Sequence, residues 1–258
     1  MSDVQEANVC CREMVEKTDR AISSISHDLK SPMVAIAALT KILMEEINET
    51  APEPERIKRW MDFLSRISGA AMSSLSLVED ILTMAKIEAG KEPVEPEWTA
   101  QPGAELKDIL ATFGMEAEAK RISLGVEVGE LPPVRWDMRR IRYHCINNVL
   151  SNALKFTPSG GAVTLRAFRN GDRVRIIVED NGPGIPPAER ERIFLRFEQS
   201  SLSSARVFSG AGLGLANAWL FVKRHGGDIF AEEANPHGAR FVMELPIDAL
   251  NPDSAVEC

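Results

Sequence analysis

From Ile22 the apolar positions recur at helical spacing, through Ile25, Leu29, Ile36, Leu39, Leu43 and Ile47. With Ile22 at heptad position a, Leu29, Ile36 and Leu43 fall at a as well. The breaker-rich stretch NETAPEPE ends this segment. A second heptad series then runs through Ile57, Leu64, Ala71, Val78 and Ala85, flanked by Trp60, Ile67, Ile81 and Leu82. The pattern predicts two long helices folded into an antiparallel hairpin. An isolated pair of this length leaves part of its apolar stripe in water, so two copies are expected to pair into a four-helix bundle, a homodimer. Upstream, Val15 and Val4 continue the seam weakly while Asn8, Cys11 and Thr18 interrupt it. Residues 1–20 therefore read as a helical lead-in or a frayed tail, and residues 21–91 as the helical domain.

The stretch GKEPVEPEWTAQPG holds three prolines and two glycines and marks a boundary. A second domain is expected over residues 95–247. Its pattern predicts a helix near 103–120, a strand at ISLGVEV, a helix from Asp137 to Phe156, and strands at AVTLRAF and RVRIIVED. A loop-rich region follows, then a helix from about Gly212 to His225 and two strands at GDIFAEE and ARFVMEL. The fold class is α+β, a helical hairpin followed by an α/β sandwich. Residues 248–258 show no pattern and are expected to be a disordered tail.

Composition narrows the partners. The 30 Lys and Arg against 38 Asp and Glu give a net charge of −8, which works against a phosphate-backbone partner, so no nucleic acid is expected. No apolar run is long enough to span a membrane, and the N-terminus MSDVQEANVCC lacks the basic and apolar regions of a signal peptide, so a cytoplasmic chain is expected. Cys10, Cys11, Cys145 and Cys258 show neither paired CxxC spacing nor a matching histidine cluster and read as free thiols.

Three stretches of the second domain carry candidate chemistry. NNVLSNALKF places Asn148, Asn152 and Lys155 at spacings of four and three, on one helix face, where amide oxygens suit a hard cation and a lysine suits a phosphate; a solvated polar face is the alternative. VEDNGPGIP turns through Gly182 and Gly184 after a strand, and Asp180 at the strand's end is placed to accept from an exocyclic amino group such as that of adenine; a plain tight turn is the alternative. SGAGLGLANAWLF is a glycine-rich loop entering a helix, where Gly210, Gly212 and Gly214 can present N–H groups to phosphates or simply admit close packing. The chain has no GxxxxGK[ST] sequence and no strand–GxGxxG–helix context, so a different nucleotide site is required.

The order of SSISHDLKSPM, NNVLSNALKFTPSGG, DNGPGIP, IFLRFEQ and GAGLGLANAWLFVKRHGG resembles a two-component sensor histidine kinase, over about residues 20–247. The resemblance implies a Bergerat-type ATP site of the kind shared with gyrase and MutL. On that basis Asp180 would bind the adenine amino group in a pocket shaped by Gly182 and Gly184, Asn152 would ligate Mg²⁺ with Asn148 as a supporting metal residue, and Lys155 would touch phosphate. Phe194 and Phe197 would belong to a phenylalanine box, with core packing as the alternative. Residues 198–209 would form a lid containing Arg206, and Gly210, Gly212 and Gly214 would close over the triphosphate. His144, Ala211 and Asn217 depart from residues frequent in the family without removing a charge carrier. The hydrolytic relatives carry a glutamate base four residues before the magnesium-binding asparagine; that position is Asn148 here, so hydrolysis as the main task is disfavoured.

His27 falls at heptad position f, away from the seam, which argues against a core histidine. The implied role is nucleophile toward the γ-phosphorus of ATP, with Asp28 accepting from Nδ1–H and fixing the tautomer. Pro32 leaves the Asp28 carbonyl without its helical donor and is expected to bend the helix, and Lys30 is either a phosphate contact or a solvated charge. Ser31, four residues after His27, takes a place where relatives carry a threonine or asparagine that positions water for dephosphorylation. The phosphoryl group would pass to the receiver domain of a separate response regulator, with input from an upstream sensor domain or partner. The competing class is a nucleotide-binding scaffold that transfers nothing.

Overall fold

In the computed structural model, which describes residues 29–47, 53–88, 93–196, 198, 212–235 and 237–249, the chain divides into a helical unit and an α/β unit. The predicted sites His27, Asp28, Phe197, Arg206 and Gly210 lie outside the described residues.

The first apolar series forms helix α1 over residues 29–47 and the second forms α2, Pro54–Glu88. α1 continues as helix through Pro32. Pro54 opens α2, where a missing N–H leaves no bond unmade, and Glu55 and Lys86 stand at the ends whose dipoles they complement. Among the less exposed residues of α2 are Trp60, Phe63, Ile67, Ala70, Ser74, Leu77 and Ile81, at alternating spacings of three and four, with Ala71 of the heptad series beside them. Among the described residues of the hairpin, Leu43 of α1 and Leu77 of α2 are buried. Glu46 ties the two helices together, accepting from Trp60 Nε1 at 2.9 Å and pairing with Arg59 at 2.7 Å.

The heptad series read from the sequence lies on a different face of α2. Ile57, Leu64, Val78 and Leu82 are exposed, with Met61 and Leu75 beside them, and Leu64 keeps 48% of its surface in water. Met33, Met44 and Ile47 repeat the situation on α1. Each helix therefore carries two apolar stripes, one used within the hairpin and one left over, the wide apolar face of a bundle helix.

The α/β unit is a two-layer sandwich. Its elements are β1 (Glu97–Thr99), α3 (Pro102–Thr112), α4 (Gly114–Lys120), β2 (Ser123–Val128), β3 (Val134–Trp136), α5 (Met138–Arg140), a π-helical segment (Ile141–Ile146), α6 (Asn147–Phe156), β4 (Ala162–Asn170) and β5 (Arg173–Asp180), followed by α7 (Gly214–Arg224), β6 (Asp228–Glu233) and β7 (Ala239–Pro246). Two short 3-10 turns, Pro187–Glu189 and Arg192–Phe194, come before α7. The main sheet has the order β2-β4-β5-β7-β6, with β2 parallel to β4 and the other pairs antiparallel. Alternate residues of β4, β5 and β7, such as Leu165, Ile176 and Met243, meet Leu106, Leu150, Leu154 and Phe221 of the helices in one core.

The opposite face of the sheet is laced with ion pairs. Arg166 binds Glu127 and Glu179, Arg240 binds Glu179 and Glu232, and Arg175 binds Glu244. Val242, between its cross-strand partners Ile177 and Phe230, is 1% exposed on this face. Long side chains thus shield an apolar centre while keeping their charges in water.

Four features differ from the sequence expectation. The helix expected over 103–120 is two, broken at Phe113, whose N–H returns to the Leu110 carbonyl before Gly114 starts α4. The helix expected from Asp137 to Phe156 contains the π segment, where one turn widens without any breaker residue. β1 lies within the proline-rich boundary and pairs antiparallel with β3, anchored by Trp136, whose Nε1 donates to the Pro246 carbonyl at 2.6 Å. Asp248 and Ala249 belong to the folded unit, because the Ala249 N–H donates to the Arg135 carbonyl.

His225 joins the end of α7 to the start of α5. Its Nδ1 lies 2.7 Å from the Phe221 carbonyl and its Nε2 accepts from the Asp137 N–H at 3.1 Å, which together define a neutral ring. Burial holds its pKa below the ordinary value of 6.5, against the opposing pull of the Phe221 carbonyl and Asp137. A histidine depressed in the folded state binds its proton first in the unfolded chain, so its contribution is complete above pH 6.5 and is lost as pH falls below it. Urea denaturation of the full chain should show α/β-unit stability falling between pH 7 and 5. His225→Gln should be less stable at pH 7, by about 1–3 kcal/mol for the lost buried bonds, and should show a shallower pH slope.

Candidate nucleotide site

β5 points Val174, Ile176 and Val178 into the core, and the same alternation carries Asp180 inward at the strand's last position. The carboxylate is 5% exposed. Its Oδ1 accepts from the Gly182 N–H at 2.9 Å and from the Ala239 N–H at 3.2 Å. Burial raises the Asp180 pKa above the usual carboxylate value; these two donors oppose the rise and the neighbouring Glu179 charge adds to it. A ligand donor at Oδ2 would favour the ionised form, so binding would release a proton and weaken on acidification.

Three glycines around Asp180 leave room for the main chain to approach closely. A Cβ on Gly182 would stand 2.9 Å from Asp180 Oδ1 and 3.0 Å from the Phe156 carbonyl oxygen. Gly184 has a φ of 77° and lies against Gly238. Gly238 itself has a φ of 118°, and a Cβ there would fall 1.9 Å from the Asp180 carbonyl oxygen. The turn after β5 and the start of β7 are thus in main-chain contact, as the Ala239 bond to Asp180 requires. Asn181 closes the other side, accepting from the Ala162 N–H at 2.8 Å. Arg190 braces the loop by donating from Nε to the Ile185 carbonyl at 3.1 Å.

The contact between Gly182 and the Phe156 carbonyl sets this loop against the end of α6, the helix of the predicted cation and phosphate residues. Asn152 is half-buried, and among the described residues no protein group hydrogen-bonds its side-chain amide. Lys155 holds its Nζ 5.2 Å from the centre of the Phe156 ring. Asn148 donates from Nδ2 to the His144 and Gly214 carbonyls, both at 2.9 Å. Gly212, at a φ of 67°, and the buried Leu213 lead into α7 at Gly214. The structure therefore brings Asn148 to Gly214, and the α6 end to Gly182. Phe194 is buried edge-to-face with Phe241 at 6.3 Å, a core position.

No group of three or more His, Cys, Asp or Glu suited to a metal occurs among the described residues. A magnesium ion bound with a triphosphate needs few protein ligands, since phosphate and water oxygens complete its shell, and an uncommitted amide oxygen at Asn152 beside Lys155 fits that requirement.

Sequence reasoning missed Gly238, Gly161, Asn181 and Arg190. Gly238 occurs in the turn between two strands, where glycine is ordinary, so nothing local marked its contact with Asp180. Gly161 looks like half of a generic turn, yet a Cβ there would meet Thr157 at 2.4 Å and Asn181 at 2.6 Å.

A buried carboxylate at a strand end, a glycine turn against it and an amide-bearing helix ending beside that turn suit a nucleotide, in an α/β sandwich preceded by a helical hairpin. The sequence model described as "Histidine kinase-, DNA gyrase B-, and HSP90-like ATPase" matches residues 137–249, and that of the "His Kinase A (phospho-acceptor) domain" matches residues 17–90. The chain is 34% identical over 227 residues to the alginate biosynthesis sensor protein KinB of Pseudomonas aeruginosa, covering 86% of this chain and 36% of that one. Among solved structures, full-length ShkA in complex with AMPPNP matches at 28% identity and a TM-score of 0.62, over 88% of this chain and 45% of that one. The histidine kinase ThkA in complex with response regulator protein TrrA shares the fold at 21% identity and a TM-score of 0.64, over 94% of this chain and 65% of that one. The chain belongs to the two-component sensor histidine kinases and carries their phosphoacceptor and ATPase domains. It spans about a third of the length of KinB.

Gly238→Ala should weaken ADP binding by about ten- to hundredfold, the equivalent of 1–3 kcal/mol of backbone strain placed on Asp180. Gly160→Ala is the control: its φ of 84° is also strained, but a Cβ there meets nothing, so it should lower stability and leave affinity unchanged. Calorimetric titration of both variants checks the difference.

Proposed function

We propose that this chain phosphorylates its own His27 from Mg-ATP and passes the phosphoryl group to an aspartate on the receiver domain of a separate response regulator. The observation that carries the reading is the buried Asp180 carboxylate, with one oxygen occupied by main-chain donors and the other available to an amino group such as that of adenine. The phosphoacceptor match over residues 17–90 includes His27.

In this reading neutral His27 attacks the γ-phosphorus through Nε2 as the bond to the ADP oxygen breaks, which yields a phosphoramidate and ADP. Asp28 accepts from Nδ1–H, which keeps Nε2 unprotonated and offsets the charge that forms on the ring. Asn152 would hold the magnesium ion, with Asn148 supporting it, and the ion would screen phosphate charge. Lys155 would contact phosphate, and the N–H groups of the loop through Gly210, Gly212 and Gly214 would enclose the triphosphate.

Two copies supply the working unit. The second apolar stripe on α1 and α2, including Met33, Met44, Leu64, Met72 and Leu82, is suited to cover the same stripe of a second hairpin. The response-regulator partner is supported by the complex in which the fold neighbour ThkA was solved. No helix of the described residues is long and apolar enough to cross a membrane, and we place these domains in the cytoplasm, where ATP is available. Input would arrive from an upstream sensor domain or partner. Ser31, exposed on α1, is the residue we assign to dephosphorylation of the regulator.

Incubation with γ-labelled ATP and Mg²⁺ should give a label that is acid-labile and base-stable, absent from His27→Gln and reduced in Asp180→Asn. No label under any of these conditions would favour a nucleotide-binding scaffold. Ser31→Ala should retain autophosphorylation and dephosphorylate a phosphorylated cognate regulator about tenfold more slowly, as expected for one lost hydrogen bond to an attacking water. An unchanged dephosphorylation rate would remove Ser31 from the reaction.

A further inference from the structure

Asn148 differs from Asn152 in that the nitrogen end of its amide is already committed to protein. Nδ2 donates to the carbonyls of His144 and Gly214, each at 2.9 Å, so both amide hydrogens are used. The orientation is not interchangeable, because a flipped amide would set Oδ1 against two carbonyl oxygens, acceptor against acceptor.

The two partners come from different elements. His144 lies in the π segment, while Gly214 is the first residue of α7, where the glycine loop ends. A Cβ on Gly214 would stand 3.0 Å from Asn148 Oδ1 and 3.1 Å from its Cγ, so the amide lies flat against the helix start. The His144 ring stacks on Phe221 of α7 at 4.6 Å and 21°, and Cys145 Sγ donates to the Ala218 carbonyl at 3.7 Å. His225 and Asp137 close the far end of the same seam. The π turn thus sets the His144 ring and the Cys145 thiol against α7 from consecutive positions, and Asn148, bonded to the His144 carbonyl, extends the series to the start of α7.

We propose that Asn148 is a positioning residue, a clamp on two carbonyls that holds the first turn of α7 against α6, and that Asn152 is the magnesium ligand on this face without it. This rests on the nucleotide-site reading above and changes the role of Asn148 within it. The clamp sets where Gly212, Leu213 and the first α7 amides stand relative to the phosphates, and its effect on affinity does not require the ion. An aspartate separates the two roles: it would preserve or strengthen a metal ligand, but it has no hydrogen to donate and would face two carbonyl oxygens.

ADP binding by the full chain, titrated in EDTA and again with Mg²⁺, tests this. Asn148→Asp should lower metal-free affinity by about tenfold or more, as expected for two lost hydrogen bonds, and keep the wild-type gain on adding Mg²⁺. Hydrogen exchange should quicken at the first amides of α7. Gly214→Ala, with Asn148 intact, should reproduce both effects by displacing the amide. The clamp is overturned if Asn148→Asp binds ADP normally without metal, or if Asn148→Ala loses only the Mg²⁺-dependent gain. A lower melting temperature with unchanged affinity of the folded protein also overturns it, since that describes a structural residue. Asn152→Ala tests the underlying reading separately: it should abolish the Mg²⁺ gain alone, and if that gain survives, the magnesium assignment fails whatever Asn148 does.

Discussion

Asp180 brings a carboxylate to the junction between sheet and helices, and a charge there costs several kcal/mol unless donors surround it. Its Oδ1 is satisfied by N–H groups of Gly182 and Ala239, residues on two segments far apart in the chain. For both to reach one oxygen, the turn after β5 and the start of β7 must approach to main-chain contact. Only glycine permits that at Gly238 and Gly182, where a Cβ would enter the space of neighbouring oxygens. The pairing of β5 with β7 and the inward alternation along β5 set the approach, so the ligand site follows from sheet register.

A second constraint links the site to the helices. α6 presents Asn152 and Lys155 only if its C-terminus stays against Gly182 and its N-terminus against α7. The first contact is the Phe156 carbonyl, and the second is the seam of Asn148, Cys145, His144 and Asp137 with α7 and its cap His225. The π segment belongs to this seam. It widens one turn, and the widened turn supplies the carbonyl to which Asn148 donates. Such segments recur near functional sites because they reorient side chains at small cost in backbone bonding.

In the helical unit the limiting quantity is apolar area. One stripe of α2, through Phe63, Ile67 and Leu77, serves the hairpin, and Glu46 with Trp60 and Arg59 sets its register. The other stripe carries side chains as large as Met72, 64% exposed, each worth about 1.5–3 kcal/mol on full burial. A hairpin with this much unburied apolar surface is half of a core, which is the physical argument for the second copy proposed above.

Much of this was legible in the chain itself. Heptad spacing determined the hairpin, period-two alternation located the four long antiparallel strands, and the asparagine, aspartate and glycine motifs marked the residues proposed to face the nucleotide. Periodicity could not say which apolar stripe of α2 lies inside one hairpin, because both stripes obey the same spacing and only the angle between helices separates them. Nor could it reveal the π turn, the β1–β3 pair or Gly238, whose meanings depend on residues far away in sequence. Asn148 and Asn152 read alike as amides on one helix face; they differ because the start of α7 folds back to place the Gly214 carbonyl against Asn148. Local chemistry was determined by residue type and spacing, while the commitment of each group was decided by which partner the tertiary fold brought within hydrogen-bond reach.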